Sequence, residues 1–291
     1  MERENEVKIC RVCPRRCRLE EGDTGFCKAR ICLDGRIRAK NYGLLTGLAL
    51  DPIEKKPLHR FFPGSRILSI GSFGCNMDCP FCQNFEISRS DGVFEGSVQE
   101  GLALRLESRE FTPGELCQIA LQAAEEDGNI GIAYTYNEPL VGYEFVLDTA
   151  KLIHGKGLKN VLVTNGCVNL SILEEVLPFI DAMNVDLKCF TDKGYRSLGG
   201  DLDTVKSFIR RAAEESHVEL TTLIVPGLSD SEEDMEREAE WIASVNPEIP
   251  LHLSRYFPRY RSHEPATDIS VMRKLKEIAE GSLKTVILGN I

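Results

Sequence analysis

The segment SFGCNMDCPFCQNFEIS, residues 72–88, lies one residue after the apolar run RILSI at 66–70. A short apolar run of this kind is typical of a buried strand. The loop that leaves this strand carries Cys75, Cys79 and Cys82 in a C-x3-C-x2-C pattern. We therefore expect a fold in which a central strand delivers three thiols to its carboxyl end.

Strand-like and helix-like segments alternate along the rest of the chain. Apolar runs predict further strands at 131–136, 160–164, 182–187, 218–225, 250–254 and 285–288. Helical spacing of apolar residues predicts helices at 112–127, 139–155, 170–178, 203–215, 230–244 and 268–280. The first of these helices opens with a Thr112–Glu115 capping box, and Asp230 is the expected start signal of the fifth.

Six strand–helix repeats are the signature of a parallel α/β sheet. Because a closed barrel of this class needs eight repeats, we predict a partial (β/α)6 TIM-like barrel. A doubly wound open sheet is the alternative.

The amino-terminal sixty residues differ in composition from the remainder. Five cysteines fall within residues 10–32, and residues 34–38 have the composition of a turn between short strands. The segment DPIEKKPLHRFFPGS, residues 51–65, contains three prolines and is predicted to be a connector. We therefore expect a small Cys-rich N-terminal module with its connector over residues 1–60 and a barrel domain over residues 61–291.

Charge and hydropathy exclude two classes of partner. The net charge is −10, with +5 on residues 1–60 and −15 on the rest, which argues against bulk nucleic-acid binding. No apolar run reaches membrane-spanning length, and the first thirty residues lack the apolar core of a signal peptide. We expect a cytoplasmic protein, where thiols stay reduced, so eleven cysteines indicate metal or redox chemistry more than disulfides.

Polar side chains follow the predicted strands, at the edge where barrels of this class place their active sites. These candidate site residues are Asn137, Glu138, Asn165, Asp186 and Lys188, with Glu219, Thr221, His252, Ser254 and Arg255 as candidates on the substrate side. Taken singly, each could be a helix cap, a local ion pair or a barrel-lining residue. Grouped around one cysteine loop, they predict a single site.

The three loop cysteines are one ligand short of a complete metal site. Structural zinc sites and electron-transfer 4Fe–4S clusters take four protein ligands, and no fourth Cys or His lies nearby in the sequence. Three ligands would leave one iron of a four-iron cluster open to a substrate or cofactor. Phe81 and Phe85 flank the cysteines and would limit the access of water.

The segment CNMDCPFC resembles the C-x3-C-x-aromatic-C signature of radical S-adenosylmethionine (SAM) enzymes. Within that superfamily the chain is most similar to the pyruvate formate-lyase activating enzyme group. Its segments DPIEKKPL, SIGSFGCN, FCQN, YTYNEP, VTNG and NVDLK resemble the AmmeMemoRadiSam-system radical SAM branch. The resemblance covers nearly the whole chain, from Cys10 to Asn290.

The resemblance implies roles for individual residues. Cys75, Cys79 and Cys82 would ligate three irons of a 4Fe–4S cluster, and SAM would bind the fourth iron. Asn137 and Glu138 stand where relatives have a Gly-Gly-Glu-Pro motif that holds the SAM amino group, although the glycines are absent here. The motif residues that would border the ribose and carboxylate of SAM are Asn165, Asp186 and Lys188. Val163 replaces an Asp that lies near a monovalent cation in some activating enzymes, so that cation site is not expected.

The resemblance further implies reductive cleavage of SAM to a 5′-deoxyadenosyl radical, which abstracts a hydrogen atom from a substrate. The enzyme would be an oxidoreductase supplied by a one-electron reductant such as flavodoxin or ferredoxin. Its substrate would be a glycyl-radical enzyme, a small molecule or a protein side chain. A non-catalytic Fe–S or zinc scaffold or electron carrier is the alternative from another class.

The N-terminal cysteines form a separate pattern. Cys10, Cys13, Cys17 and Cys27 are spaced C-x2-C-x3-C-x9-C, which suffices for a four-thiolate site. A zinc ion, an auxiliary Fe–S cluster and the absence of metal are the open alternatives. The remaining cysteines are interpreted as buried structural residues; they are Cys32, Cys117, Cys167 and Cys189.

Overall fold

The computed structural model describes residues 7–90 and 108–291 of the chain. The strands are β1 (Lys8–Ile9), β2 (Arg18–Leu19), β3 (Arg30–Leu33), β4 (Arg36–Ala39), β5 (Leu44–Leu45), β6 (Gly47–Pro52), β7 (Arg66–Gly71), β8 (Arg109–Glu110), β9 (Asn129–Tyr134), β10 (Lys159–Thr164), β11 (Ala182–Asp186), β12 (His217–Ile224), β13 (Leu251–Arg255) and β14 (Val286–Gly289). The helices are α1 (Phe85–Ser88), α2 (Pro113–Asp127), α3 (Tyr143–Gly155), α4 (Leu170–Val176), α5 (Asp192–Ser197), α6 (Leu202–Ala212), α7 (Glu232–Val245) and α8 (Ile269–Ala279). Short 3-10 helices lie at Ile53–Lys55, Pro139–Gly142 and Leu177–Phe179.

One eight-stranded sheet organises the chain, in the order β14-β13-β12-β11-β10-β9-β7-β6. Strand β7 and strands β9 to β14 are parallel, whereas β6 pairs antiparallel with β7 at the edge. The parallel strands neighbour one another in chain order, so every crossover advances in the same direction. A doubly wound sheet needs a reversal of strand order. The partial barrel is therefore confirmed, and the doubly wound alternative is wrong.

The helices that cover the sheet begin close to the predicted positions. At α2, Thr112 and Glu115 form the predicted capping box, with Pro113 as the first helical residue. The predicted start signal of α7 was wrong by one residue, because Ser231 caps that helix by accepting from the backbone N–H of Asp234. Asp230 instead accepts from the N–H of Gly227 at 2.9 Å in the preceding turn. No helix in the part of the chain that the structure describes is long and apolar enough to cross a membrane.

The amino-terminal segment forms two small hairpins, β1–β2 and β3–β4. Asp34 and Gly35 form the predicted turn between β3 and β4, with φ of 51° and 67°. The connector predicted for residues 51–65 is wrong at its start, because β6 extends to Pro52 and a 3-10 helix follows it. Proline is tolerated at the end of an edge strand, where no ladder hydrogen bond is lost. The division of the chain near residue 60 stays a prediction.

Candidate active site

The cysteine loop leaves the carboxyl end of β7 and rests on the N-terminal hairpins. Gly74 has a φ of 90°, and a Cβ there would lie 2.5 Å from the carbonyl oxygen of Cys27. The next residue, Cys75, donates its backbone N–H to the same carbonyl at 3.2 Å. Only glycine combines this positive φ with so close an approach of two backbones. The N-terminal segment therefore shapes the loop that carries the three thiols.

A cavity of about 670 Å³ opens at the carboxyl ends of the parallel strands. Cys75, Cys79 and Cys82 line it, and they are the only cysteines on its wall among the described residues. Seven other candidates from the sequence also line it: Asn137, Glu138, Asn165, Asp186, Lys188, Thr221 and His252. Ser254 lies on the wall as well, whereas Glu219 and Arg255 do not. The strand-end residues thus share one chamber of the size typical of ligand sites.

The three loop thiols are not placed as the ligands of a single ion. Within residues 7–90 and 108–291, no three His, Cys, Asp or Glu side chains are placed to hold a single metal ion.

Burial raises the pKa of the Cys75 thiol well above its ordinary value, and the charges of Glu138 and the other loop thiols act in the same direction. Burial likewise raises the pKa of Cys79 to about 11, although the charge of Lys188 opposes the rise. Two N–H groups face the Cys75 sulfur: the Met77 amide at 3.5 Å and the Asn165 side-chain Nδ2 at 3.7 Å. Such donors stabilise negative charge on a sulfur ligand.

Glu138 is a buried carboxylate at the junction of β9 and the next 3-10 helix. It is 1% exposed and accepts hydrogen bonds from the Thr164 hydroxyl (2.8 Å) and from the backbone N–H groups of Leu140 (3.0 Å) and Asn165 (2.8 Å). Burial raises its pKa to about 7, and the nearby charge of Asp186 contributes. None of the ion pairs formed within the described ranges includes Glu138. The carboxylate thus caps a helix and also presents an unpaired charge to the cavity.

Asn137 holds the cysteine loop in place. Its Nδ2 donates to the carbonyl oxygens of Phe73 and Gly74, both at 3.1 Å, and its Oδ1 accepts from the Ser72 N–H at 3.1 Å. With both ends of the amide engaged, this side chain positions the loop from the cavity wall.

Asp186 and Lys188 form an ion pair at the end of β11, with 2.6 Å between Lys188 Nζ and Asp186 Oδ2. Burial alone would lower the pKa of Lys188, but the Asp186 carboxylate and the Cys79 thiol raise it above its ordinary value. The lysine is therefore charged at neutral pH, and it lies close enough to Cys79 to favour the thiolate form of that residue.

Glu219 lies below the cavity and anchors the segment that follows β6. It is fully buried and accepts from the backbone N–H groups of His59 (3.0 Å) and Arg60 (2.7 Å), and from the ring nitrogens of His217 (3.0 Å) and His252 (2.6 Å). Although burial opposes it, these hydrogen bonds lower the pKa of Glu219 to about 2. As a substrate-side residue Glu219 is therefore wrong. Arg255 does not line the cavity either, and its Nε donates to the Thr267 carbonyl at 2.8 Å, so its substrate-side role stays a prediction.

Two residues near the site were not predicted from the sequence: Tyr136, which lines the cavity, and Asn76, which lies beside Cys75 but does not line it. Asn76 accepts from Asn165 Nδ2 at 2.9 Å and donates to the Cys167 carbonyl at 2.6 Å. Tyr136 has a φ of 72°, and its hydroxyl donates to Asp51 at 3.0 Å. The sequence signal for Asn76 was its place between two of the loop cysteines. No comparable signal marks Tyr136, because its role depends on the unpredicted strand β6.

Comparison with known proteins gives three findings. The sequence matches the Radical SAM superfamily over residues 69–242. An uncharacterized protein of Methanocaldococcus jannaschii is 36% identical over 292 residues, which covers 99% of this chain and 82% of that protein. The pyruvate formate-lyase-activating enzyme of Clostridium pasteurianum is 25% identical over 185 residues, or 63% of this chain and 72% of that enzyme.

The fold itself has relatives among solved structures. The crystal structure of a radical SAM methyltransferase from Sphaerobacter thermophilus superimposes with a TM-score of 0.54 at 17% identity. The superposition covers 78% of this chain and 67% of the methyltransferase. At this level of identity the likeness concerns the fold alone.

Proposed function

This chain belongs to the radical SAM superfamily and is an enzyme of activating-enzyme-like sequence, and on that premise we propose that it cleaves SAM reductively to abstract a hydrogen atom from a substrate in the 670 Å³ cavity. The observation that carries the proposal is the placement of three thiols, without a fourth, on the wall of a cavity that also contains an unpaired buried carboxylate. In reaction class the enzyme is an oxidoreductase.

The residues present fit both groups that the family requires. Cys75, Cys79 and Cys82 would hold three irons of a 4Fe–4S cluster, with the remaining iron left for SAM. When bound, the cluster and SAM together supply a 5′-deoxyadenosyl radical. The protein's own task is to orient SAM and to limit water around it. Buried Phe81, on the cavity wall beside the cysteines, serves that second purpose.

Glu138 is the proposed partner of the SAM amino group. A cationic ammonium would neutralise a carboxylate that now has hydrogen-bond donors but no ion pair within the described chain. Asp186 and Lys188 lie on the same wall, where the lysine offers a positive charge to a carboxylate and the aspartate offers acceptors to ribose hydroxyls. Asn165 would act on the cysteine loop, because its Nδ2 donates to the Asn76 side chain and faces the Cys75 sulfur.

Anaerobic reconstitution with iron, sulfide, dithionite and SAM tests the proposal. The wild type should release 5′-deoxyadenosine, and Cys79→Ala should release none. Cys117→Ala is the control, because Cys117 is also a free cysteine but is buried on α2, away from the cavity. A wild-type cluster that leaves SAM intact would refute the enzyme and favour an electron carrier.

The substrate is proposed at the level of two classes. The sequence similarity to a pyruvate formate-lyase-activating enzyme supports a glycyl-radical enzyme as substrate. The size of the cavity supports a small molecule or a protein side chain bound beside SAM, near His252 and Ser254. Incubation with pyruvate formate-lyase separates the classes, because activation produces a glycyl radical that electron paramagnetic resonance (EPR) detects. Membership of the AmmeMemoRadiSam-system branch, a flavodoxin or ferredoxin donor and a cytoplasmic location remain predictions.

A further inference from the structure

Four cysteines of the N-terminal segment line a small second cavity. The β1–β2 hairpin brings Cys10 and Cys17 together, with the Cys10 N–H donating to the Cys17 carbonyl at 2.9 Å. Cys13 lies between them in sequence and Cys27 comes from the following loop, and all four residues border a cavity of about 10 Å³. Cys32, the fifth cysteine of the segment, is buried but does not border it. The fold thus selects the four cysteines of the C-x2-C-x3-C-x9-C pattern, here called the N-terminal cysteine site.

Backbone amides are directed at two of these sulfurs. The N–H of Arg15 faces Cys13, and the N–H groups of Ala29 and Arg30 face Cys27. The Met77 amide stands in the same relation to Cys75, two residues after the cysteine. Amide donors on a sulfur are useful when the sulfur is a metal-bound thiolate.

One buried N–H on the cavity wall lacks a hydrogen-bond acceptor, although the guanidinium that carries it is ion-paired with Glu144 at 2.6 Å through its Nη1. Arg30 borders the cavity and is 4% exposed, and its Nε has no hydrogen-bond partner in the described structure. A buried N–H without an acceptor is costly, so an acceptor is expected there. Arg15 lies on the same wall. Thiolate or sulfide sulfur in the cavity would supply the acceptor that Arg30 Nε lacks, and Arg15 would contribute positive charge.

The arrangement favours an iron–sulfur cluster over zinc. A single zinc ion needs its four thiolates to converge on one point, and no three side chains of the described residues do so. The loop thiols that would hold the SAM-binding cluster are likewise not placed around a single ion. We propose that Cys10, Cys13, Cys17 and Cys27 bind a second 4Fe–4S cluster, with each thiol releasing its proton to solvent as its iron–sulfur bond forms. Four thiolates leave no open iron, so this cluster would not bind SAM.

The two cysteine sites are neighbours. Cys27 of the N-terminal cysteine site accepts a hydrogen bond from the backbone N–H of Cys75, a ligand residue of the loop site, at 3.2 Å. Asn76 borders the small cavity and lies beside the Cys75 sulfur, with its Oδ1 4.0 Å from that atom. Because one backbone hydrogen bond joins the two sites, reduced clusters held in both would interact magnetically, which provides a test of their proximity.

The proposal goes beyond SAM cleavage and is tested without it, by measuring iron, acid-labile sulfide and zinc after anaerobic reconstitution of the full chain. We expect about eight irons per wild-type chain and about four in the triple variant C75A/C79A/C82A, because each complete site holds four irons. C13A/C27A should also retain about four, and C32A should retain about eight. If C13A/C27A does not fold, the triple variant still decides, since it leaves the N-terminal cysteine site intact.

EPR of the dithionite-reduced proteins supplies the second readout. The wild type should show the broadened spectrum of two interacting spins, whereas each of the two variants with one site removed should show a single isolated cluster. A triple variant without iron and sulfide, or one with a single zinc and no sulfide, would overturn the proposal. Loss of 5′-deoxyadenosine formation in a protein with about eight irons would refute the proposed function and leave the second cluster standing.

Discussion

Removing the Asn165 side chain should lower the reduction potential of the SAM-binding cluster. Asn165 Nδ2 is 3.7 Å from the sulfur of Cys75, which also receives the Met77 amide at 3.5 Å. A donor to a cluster sulfur stabilises the reduced state, because reduction adds negative charge. Asn165→Ala removes one of the two donors and leaves the other.

The size of the shift follows from the strength of one hydrogen bond. A net contribution of about 0.5–1.5 kcal/mol corresponds to roughly 20–65 mV for a one-electron couple. We therefore expect the midpoint potential of Asn165→Ala to fall by that amount in an EPR-monitored redox titration without SAM.

Asn184→Ala is the matched control. Asn184 is also a buried amide on a neighbouring strand, and it bonds to the Pro57 carbonyl (3.0 Å) and the Thr221 hydroxyl (2.9 Å) rather than to sulfur. The midpoint potential of the cluster in Asn184→Ala should equal that of the protein without the substitution. An Asn165→Ala potential within about 10 mV of the parent, at full iron content, would refute the view that this amide acts on the cluster.

Three further variants test other parts of the structure. Glu138→Gln should weaken SAM binding roughly 10- to 100-fold in anaerobic calorimetry, since it loses a charged hydrogen-bond acceptor, and an unchanged Kd would exclude Glu138 as the partner of the SAM amino group. Gly74→Ala should cost about 1–3 kcal/mol more stability than Gly64→Ala, because both glycines have positive φ but a Cβ meets backbone only at Gly74; equal costs in urea unfolding would show that the loop can move aside. As the pH rises from 5 to 7, the unfolding free energy of Glu238→Gln should increase by about 2 kcal/mol relative to that of the wild type. Burial raises the pKa of Glu238 from 4.5 to about 8, so the wild type is stabilised below pH 4.5 and loses that stability as the pH rises through 8; a pH-independent difference in urea unfolding would contradict this.

The sequence predicted the parallel strands because each is an apolar run bounded by turn signals, and parallel strands are buried on both faces. It failed at β6, where Pro52 and the later prolines resemble a connector. Strand β6 is stabilised by its pairing with β7 from Gly47 to Pro52. The local sequence itself has only a weak preference for a strand, so this tertiary contact decides its structure. Ile53 and Leu58 are fully buried behind it, so the segment belongs to the core that supports the cavity.

Residue types at strand ends predicted which groups share the cavity but could not assign the role of each group. Asn137 and Glu138 are adjacent in sequence but differ in role. Both ends of the Asn137 amide form hydrogen bonds with the cysteine loop, whereas Glu138 accepts hydrogen bonds and has no ion-pair partner among the described residues. Glu219 shows the same limit. Strand alternation places it on the same face of β12 as Thr221, but Glu219 is fully buried and does not line the cavity. Depth along a strand depends on the register with neighbouring strands, which a single sequence does not specify.

The contact between Cys27 and Cys75 explains why the N-terminal segment and the barrel cannot be treated as independent parts. The Cys27 carbonyl accepts from the Cys75 N–H, and the lack of a side chain at Gly74 allows the two backbones to meet. Any change that displaces Cys27 must therefore move the first ligand of the loop. A filled N-terminal cysteine site would fix Cys27 through its sulfur, and so hold the Cys75 amide in place. On this reasoning the N-terminal cysteines support the geometry of the SAM-binding site even though none of them lies on its wall.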